Sequence, residues 1–183
     1  MESQQTIVAA IKGDAEAFYE LMNLHKNQLY RIAFRYLKSE QDALEAIQET
    51  TFRAYRSVKR LKEPKYFQTW LIRILINTCN DELKRSKAQT PLGREINVNK
   101  STVFDDSSEP GGSLDLQRLD ILSALDRLDH KYRQVIELKY FEDLTIREIA
   151  ISLERPEGTI KTWLTQSYKQ LREHLRERGD SHV

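Results

Sequence analysis

The residues best equipped for chemistry lie near the C-terminus. At about 100° of turn per residue, Thr162, Thr165, Gln166, Lys169 and Arg172 fall on one side of a helix, and Ile160, Leu164, Leu171 and Leu175 cluster on the other. Hydroxyl, amide and cationic groups so arranged suit base edges and phosphates. The same residues would also serve as an ordinary solvated helix face, so their neighbours must decide between the two. A second group is Lys59-Arg60-Leu61-Lys62-Glu63-Pro64-Lys65-Tyr66-Phe67-Gln68-Thr69-Trp70, where four cations precede three aromatics and Pro64 enforces a loop. Cations can track phosphates, and an aromatic face or loop pocket can hold an unstacked base. Phe67 and Trp70, three apart, also fit a core. A third group, Glu45, Gln48 and Glu49, is spaced at threes and fours, which makes one acidic, amide-bearing helix patch.

Bond-breaking chemistry is not evident. Asp, Glu, His and Cys form no catalytic cluster, and no Gly-rich phosphate loop is present. Cys79 is the one cysteine and cannot form an intrachain disulfide, while His25, His130, His174 and His182 show no ligand spacing with it. No metal, no cofactor and no enzymatic activity are expected.

The polar C-terminal face needs a helix to carry it, and the stretch from Leu144 to Leu171 supplies two. Thr145-Ile146-Arg147-Glu148 fits a capping box, in which Thr145 and Glu148 satisfy each other's exposed N–H groups at a helix start. Ile146, Ile149, Ala150 and Leu153 then form its buried side. Pro156 suits the first turn of the next helix, and Gly158 tolerates close packing. Two short helices at a sharp angle, the second offering polar groups, constitute a helix-turn-helix, whose second helix fits the DNA major groove.

Upstream, residues 5–87 are rich in helix formers, with Gly13 and Pro64 as the strong breakers. Helices are predicted at Gln4–Lys12, Ala15–Leu37, Glu40–Leu61 and Tyr66–Lys87, with Asp14 and Ser39 as caps. Between Ala88 and Ser113 the composition turns to Pro, Gly, Ser and acidic residues, which reads as a mildly acidic linker. Helical periodicity resumes at Leu114, with Leu116, Leu119, Leu122, Leu125 and Leu128 recurring at threes. The fold class is all-α: two small helical domains, 1–88 and 114–183, joined by a flexible linker at 89–113.

The chain's 183 residues, 39% hydrophobic, can build two small cores. No apolar run approaches about 18 residues, and no secretory signal is read, so a cytoplasmic location without membrane insertion is expected. Formal charge is +1, with 15 Lys/Arg against 11 Asp/Glu from Met1 to Thr90 and 12 against 13 from Leu114 to Val183. Any basic surface must therefore be local.

Gly158-Thr159-Ile160-Lys161-Thr162 resembles the second helix of region four in bacterial sigma factors of the extracytoplasmic-function (ECF) group, where Gly-Thr-Val-Lys-Ser is common. Asp42-Ala43-Leu44-Glu45-Ala46-Ile47-Gln48-Glu49 resembles the clamp-binding helix of region two. Trp70-Leu71, Ile74, Asn77, Asp81, Lys84 and Arg85 follow the spacing of its promoter-reading helix. The order of domains and linker agrees, so the resemblance covers nearly the whole chain. It implies an alternative sigma factor that takes bacterial core RNA polymerase to specific promoters, in response to envelope or environmental stress. By the same resemblance, Glu45, Gln48 and Glu49 engage the clamp-helix coiled coil of the polymerase. Lys62, Lys65, Arg73, Asn77, Asn80 and Lys84 take the −10 element. Lys161, Thr162, Thr165, Gln166, Lys169 and Arg172 take the −35 element, and an anti-sigma factor is the further partner implied.

The chain departs from the family in places. Arg is common at the positions of Trp163 and Gln166, and a further cation near Tyr168, so phosphate attraction is reduced here. Trp163 is expected to pack in part. Thr51 stands where Phe is usual, with Phe52 expected to shift into that packing role. Cys79 is expected to be a small, partly buried side chain in the promoter-reading helix. The alternative reading is a helix-turn-helix transcriptional activator of response-regulator type, which would need a β/α receiver that the first 88 residues do not suggest. A protein-binding helical adaptor is a further rival.

Overall fold

Asp14 and Ser39 each end a turn and begin a helix by the same means. The computed structural model describes residues 4–89, 121 and 123–179, with side chains at 4–86, 121 and 123–176. All regular structure among these residues is helical. Helix α1 spans Gln4–Lys12, and Gly13 follows at φ +103°, a left-handed backbone that admits glycine at least cost. A Cβ there would lie 2.9 Å from the Lys59 side chain. Asp14 then accepts the Ala17 N–H at 3.0 Å and opens α2, Ala15–Leu37. Lys38 closes α2 in the left-handed region at φ 56°, its N–H donating to the Phe34 carbonyl at 2.8 Å. Ser39 accepts the Asp42 N–H at 3.3 Å and opens α3, Glu40–Ser57.

The predicted helix to Leu61 stops at Ser57. Ser57 donates its hydroxyl to the Arg53 carbonyl at 2.6 Å, and Val58–Arg60 tightens into a 3-10 turn. Pro64 opens a second 3-10 turn, Pro64–Tyr66, before α4, Phe67–Gln89. Tyr66 therefore precedes the helix, and α4 runs beyond the predicted Lys87.

Two of the long helices, α2 and α4, pack on α3 and on each other. Ala43, Ala46 and Ala54 give α3 a face of small side chains, which allows that close approach. Phe18, Leu21, Leu29 and Ile32 enter from α2, and Phe67, Leu71, Ile72, Leu75, Ile76 and Cys79 from α4, all at 5% exposure or less. Each such large apolar side chain contributes about 1.5–3 kcal/mol of transfer free energy. Phe67 is core as expected, whereas Trp70 is only half-buried beside it, ring centroids 5.7 Å apart. Phe52 does not take the packing role expected of it. It is 55% exposed, because at its helix position it points opposite the alanine face, and Arg56 lies over its ring at 5.4 Å. Thr51 bonds back to the Ile47 carbonyl at 2.8 Å.

The described residues form two compact units, one carrying the four N-terminal helices and the other most of the residues after 120. In the second, residues 123–126 are helical and Leu125 and Leu128 are buried. Leu116, Leu119 and Leu122, and residues 90–113 of the predicted linker, lie outside the described residues. Helix α5 spans His130–Tyr140, α6 Ile146–Leu153 and α7 Glu157–Gly179. Arg133, little exposed, donates to the exposed Asp126 at 3.0 Å and to the buried Glu137 at 2.9 Å, so one cation serves two carboxylates. The predicted capping box is present: the Thr145 N–H donates to Glu148 at 2.8 Å and the Glu148 N–H donates to Thr145 Oγ at 3.2 Å. Ile149 and Ala150 are buried, with Ile146 and Leu153 half-buried. The chain leaves α6 through Glu154 at φ 53°, and Pro156 accepts the N–H groups of Thr159 and Ile160 as α7 begins.

Candidate nucleic-acid interface

Helix α7 is fixed from its apolar side. Ile160 and Leu164 are buried, and the buried Ser167 hydroxyl lies 3.0 Å from the Tyr132 carbonyl of α5 and 2.6 Å from the Trp163 carbonyl. One hydroxyl shared between two helices sets their rotation. Every polar residue predicted to face away is exposed, namely Thr162, Thr165, Gln166, Lys169 and Arg172, and Lys161 is exposed as well. Thr162 and Thr165 rest their hydroxyl protons on the Gly158 and Lys161 carbonyls at 3.0 Å each. Their outward lone pairs remain as acceptors, and a rotation about χ1 would free the donors. Trp163 is half-buried, the partial packing expected of it. Leu171 is half-buried too, and Leu175 is 39% exposed, so the apolar face weakens toward the C-terminus.

On α4 a second polar row forms. Arg73, Asn77, Asn80 and Lys84 recur at four, three and four residues, so they share one stripe of the helix, opposite the stripe of Leu71, Leu75 and Cys79. Asn77 and Lys84 are exposed, and Arg73 and Asn80 half-exposed. Lys62 and Lys65 stand exposed in the loop before α4. Lys65 lies 5.0 Å above the Tyr66 ring and 3.8 Å from Glu63. Cations at the loop and amides along the helix form a surface suited to a phosphate backbone with bases beside it. Cys79 is fully buried on the opposite side, where burial pushes its thiol up to about 12.

The acidic patch on α3 divides in two. Glu45 and Gln48 are exposed, with Gln41 donating to Glu45 at 3.1 Å. Glu49 instead receives Arg53 Nε at 2.7 Å, and the same guanidinium reaches Asp81 of α4 at 3.1 Å. Donating to Glu49, then to Asp81, raises the Arg53 pKa. Two residues that sequence reasoning did not assign join the outward stripe: Leu44, 47% exposed, and Phe52. Phe52 lies four residues after Gln48 and seven after Glu45, a helical spacing that would have placed it there. The Glu49–Arg53 pair has the same four-residue spacing, whereas the contact of Arg53 with Asp81 had no such signal, the two lying 28 residues apart.

The chain matches two family models, Sigma-70 region 2 over residues 21–89 and Sigma-70 region 4 over residues 118–171. It is 33% identical to the RNA polymerase sigma factor SigV of Bacillus subtilis over 155 residues, 82% of this chain and 86% of that protein. To the ECF RNA polymerase sigma factor SigW of the same species it is 32% identical over 174 residues, 91% of this chain and 92% of the relative. In fold it is similar to the sigma factor RpoE of Bartonella quintana, solved with the anti-sigma factor NepR, at a TM-score of 0.66 and 21% identity over 88% of this chain and 98% of that one. It is likewise similar to CnrH, solved with the cytosolic domain of CnrY, at a TM-score of 0.65 and 21% identity over 98% of each chain. With region 2 and region 4 matched in that order along the chain, and with two sigma-factor relatives above 30% identity over most of its length, the chain belongs to the ECF group of RNA polymerase sigma factors.

Proposed function

We propose that the chain is an alternative sigma factor that brings bacterial core RNA polymerase to specific promoters under envelope or environmental stress. Residues 1–88 would hold the polymerase and take the −10 element, residues 89–113 would be the acidic linker, and residues 114–183 would take the −35 element. The observation that carries this reading is the exposure of six polar residues of α7 opposite the buried Ile160 and Leu164, in a chain that matches Sigma-70 region 4.

Glu45, Gln48 and Glu49 form the polymerase contact, with Glu49 acting through its pair with Arg53. Lys62, Lys65, Arg73, Asn77, Asn80 and Lys84 contact the −10 strand, and Lys161, Thr162, Thr165, Gln166, Lys169 and Arg172 the −35 duplex. Cations on these faces draw in phosphates, and amides and hydroxyls select bases. Strand opening is driven by binding energy, as extruded bases settle in the loop and on α4, so the chain itself hydrolyses no nucleotide and is not an enzyme. With a net charge of only +1, the free chain holds DNA weakly, and polymerase supplies the missing contact area.

An anti-sigma factor is the further partner, supported by the fold relative RpoE, which was solved with the anti-sigma factor NepR. Among the described residues no helix is long and apolar enough to cross a membrane, and a cytoplasmic site of action fits the partners named. The test is run-off transcription from a randomised promoter pool with purified core polymerase. Defined start sites that require the chain are the expected result, and unchanged transcription on adding it would refute the reading.

A further inference from the structure

Tyr140 and Tyr168 are not among the residues assigned above to polymerase or promoter, yet both rings stand in the open, 57% and 43% exposed. They come from α5 and α7 and meet edge to face, centroids 6.3 Å apart, with their phenol oxygens hydrogen-bonded to each other. At about 100° per residue, Tyr168 lies roughly 20° from Lys161 and 40° from Arg172 around α7. It therefore flanks the DNA-contacting face of that helix.

One phenol donates its proton in the shared bond, and the other, which accepts, keeps its own proton to give outward. Accepting a hydrogen bond polarises that O–H and makes it the better donor. Burial raises the Tyr168 pKa to about 12, so its phenol keeps a proton to donate. The pair thus offers a fixed, uncharged donor beside two cations. A protein partner would be expected to cover the ring faces in an apolar pocket, whereas here the polar ends converge on one point, which favours an oxyanion.

We infer that the Tyr140–Tyr168 pair is a neutral phosphate-binding site, in which Tyr140 donates to Tyr168 and Tyr168 donates to a phosphate oxygen of the promoter backbone at the edge of the α7 face. This inference rests on the reading of α7 as the −35 helix. Tyr168 is the contact and Tyr140 a positioning residue. A neutral donor displaces no counterion, so the site adds affinity without adding salt dependence.

The test measures promoter binding by the full chain assembled with core polymerase, on a duplex recovered from the randomised pool, across a series of salt concentrations. Tyr168→Phe should weaken binding roughly three- to tenfold at every salt concentration, with the slope of log affinity against log salt unchanged. Tyr140→Phe should reproduce part of that loss, again at constant slope. Tyr168→Lys should steepen the slope by about 0.9, because an ammonium at a phosphate releases a counterion. If Lys169→Ala weakens binding while Tyr168→Phe does not, or if Tyr168→Lys leaves the slope as it was, the inference falls and the reading of α7 stands. If Lys169→Ala and Tyr168→Phe are both without effect, the reading of α7 falls with it. A loss of affinity for core polymerase in the absence of DNA on Tyr168→Phe would assign the pair to a protein contact and overturn the inference.

Discussion

Arg53 of α3 and Asp81 of α4 are paired at 3.1 Å, and the same guanidinium holds Glu49 at 2.7 Å. The pair joins α3, which carries the patch proposed for polymerase, to α4, which carries the polar row proposed for the −10 element. All three side chains are a third to a half exposed, so the solvent screens much of their attraction and the bond sets geometry more than it adds stability. Arg53→Gln is expected to lower unfolding free energy by about 0.5–1 kcal/mol, a loss that shrinks in high salt. Urea denaturation at two ionic strengths measures it. A larger, salt-independent loss would mean that the pair behaves as a buried one.

Glu45 and Gln48 bear on nothing in the core, and both are exposed on α3. Replacing both with alanine should abolish capture of the chain by core polymerase while leaving its helical circular dichroism unchanged, since alanine favours helix. Capture at the wild-type level would remove the polymerase role from this patch.

Thr165 and Lys169 stand one turn apart on the open face of α7. Substituting them should change the preferred −35 sequence and leave the −10 preference alone, because the residues proposed for the −10 element lie on α4 and in the loop before it. Transcription from a promoter library reads both preferences at once. A shift confined to the −10 element would contradict the division of labour.

Burial raises the Cys79 thiol from its ordinary 9.0 to about 12 in the folded protein. The folded state thus keeps its proton where the unfolded chain has lost it. This contribution to stability is fully present below pH 9.0 and is lost as pH rises toward about 12, with a slope of up to about 1.4 kcal/mol per pH unit. Cys79→Ala should lack that alkaline component, as compared in denaturation series above and below pH 9. Iodoacetamide at pH 8.5 should label the native protein far more slowly than the unfolded one, and equal rates would show the thiol to be accessible.

Lys38 caps α2 at φ 56°, a backbone that costs a side chain about 1 kcal/mol relative to glycine. Lys38→Gly should raise unfolding free energy by up to about 1 kcal/mol, and thermal or urea unfolding will show it. A destabilised variant would mean that the lysine side chain contributes more than its backbone strain costs.

Features settled within one or two helical turns could be read from the order of residues alone. Asp14, Ser39 and the Thr145–Glu148 box were legible because a cap acts on an N–H two or three residues away. The exposed face of α7 was legible because a fixed turn per residue sorts polar from apolar side chains. The end of α3 was not, since it is set by the Ser57 hydroxyl bonding back to the Arg53 carbonyl and by the tightening of Val58–Arg60 into a 3-10 turn, which no breaking residue announces. It took the packed helices to show that Phe52 faces solvent, that Arg53 meets Asp81, and that Tyr140 meets Tyr168. The last two pairs each join residues 28 apart. No local rule links positions at that separation. They meet because the helices carrying them are brought together by buried apolar surface, which fixes the rotation of each helix and leaves the pairing as its consequence.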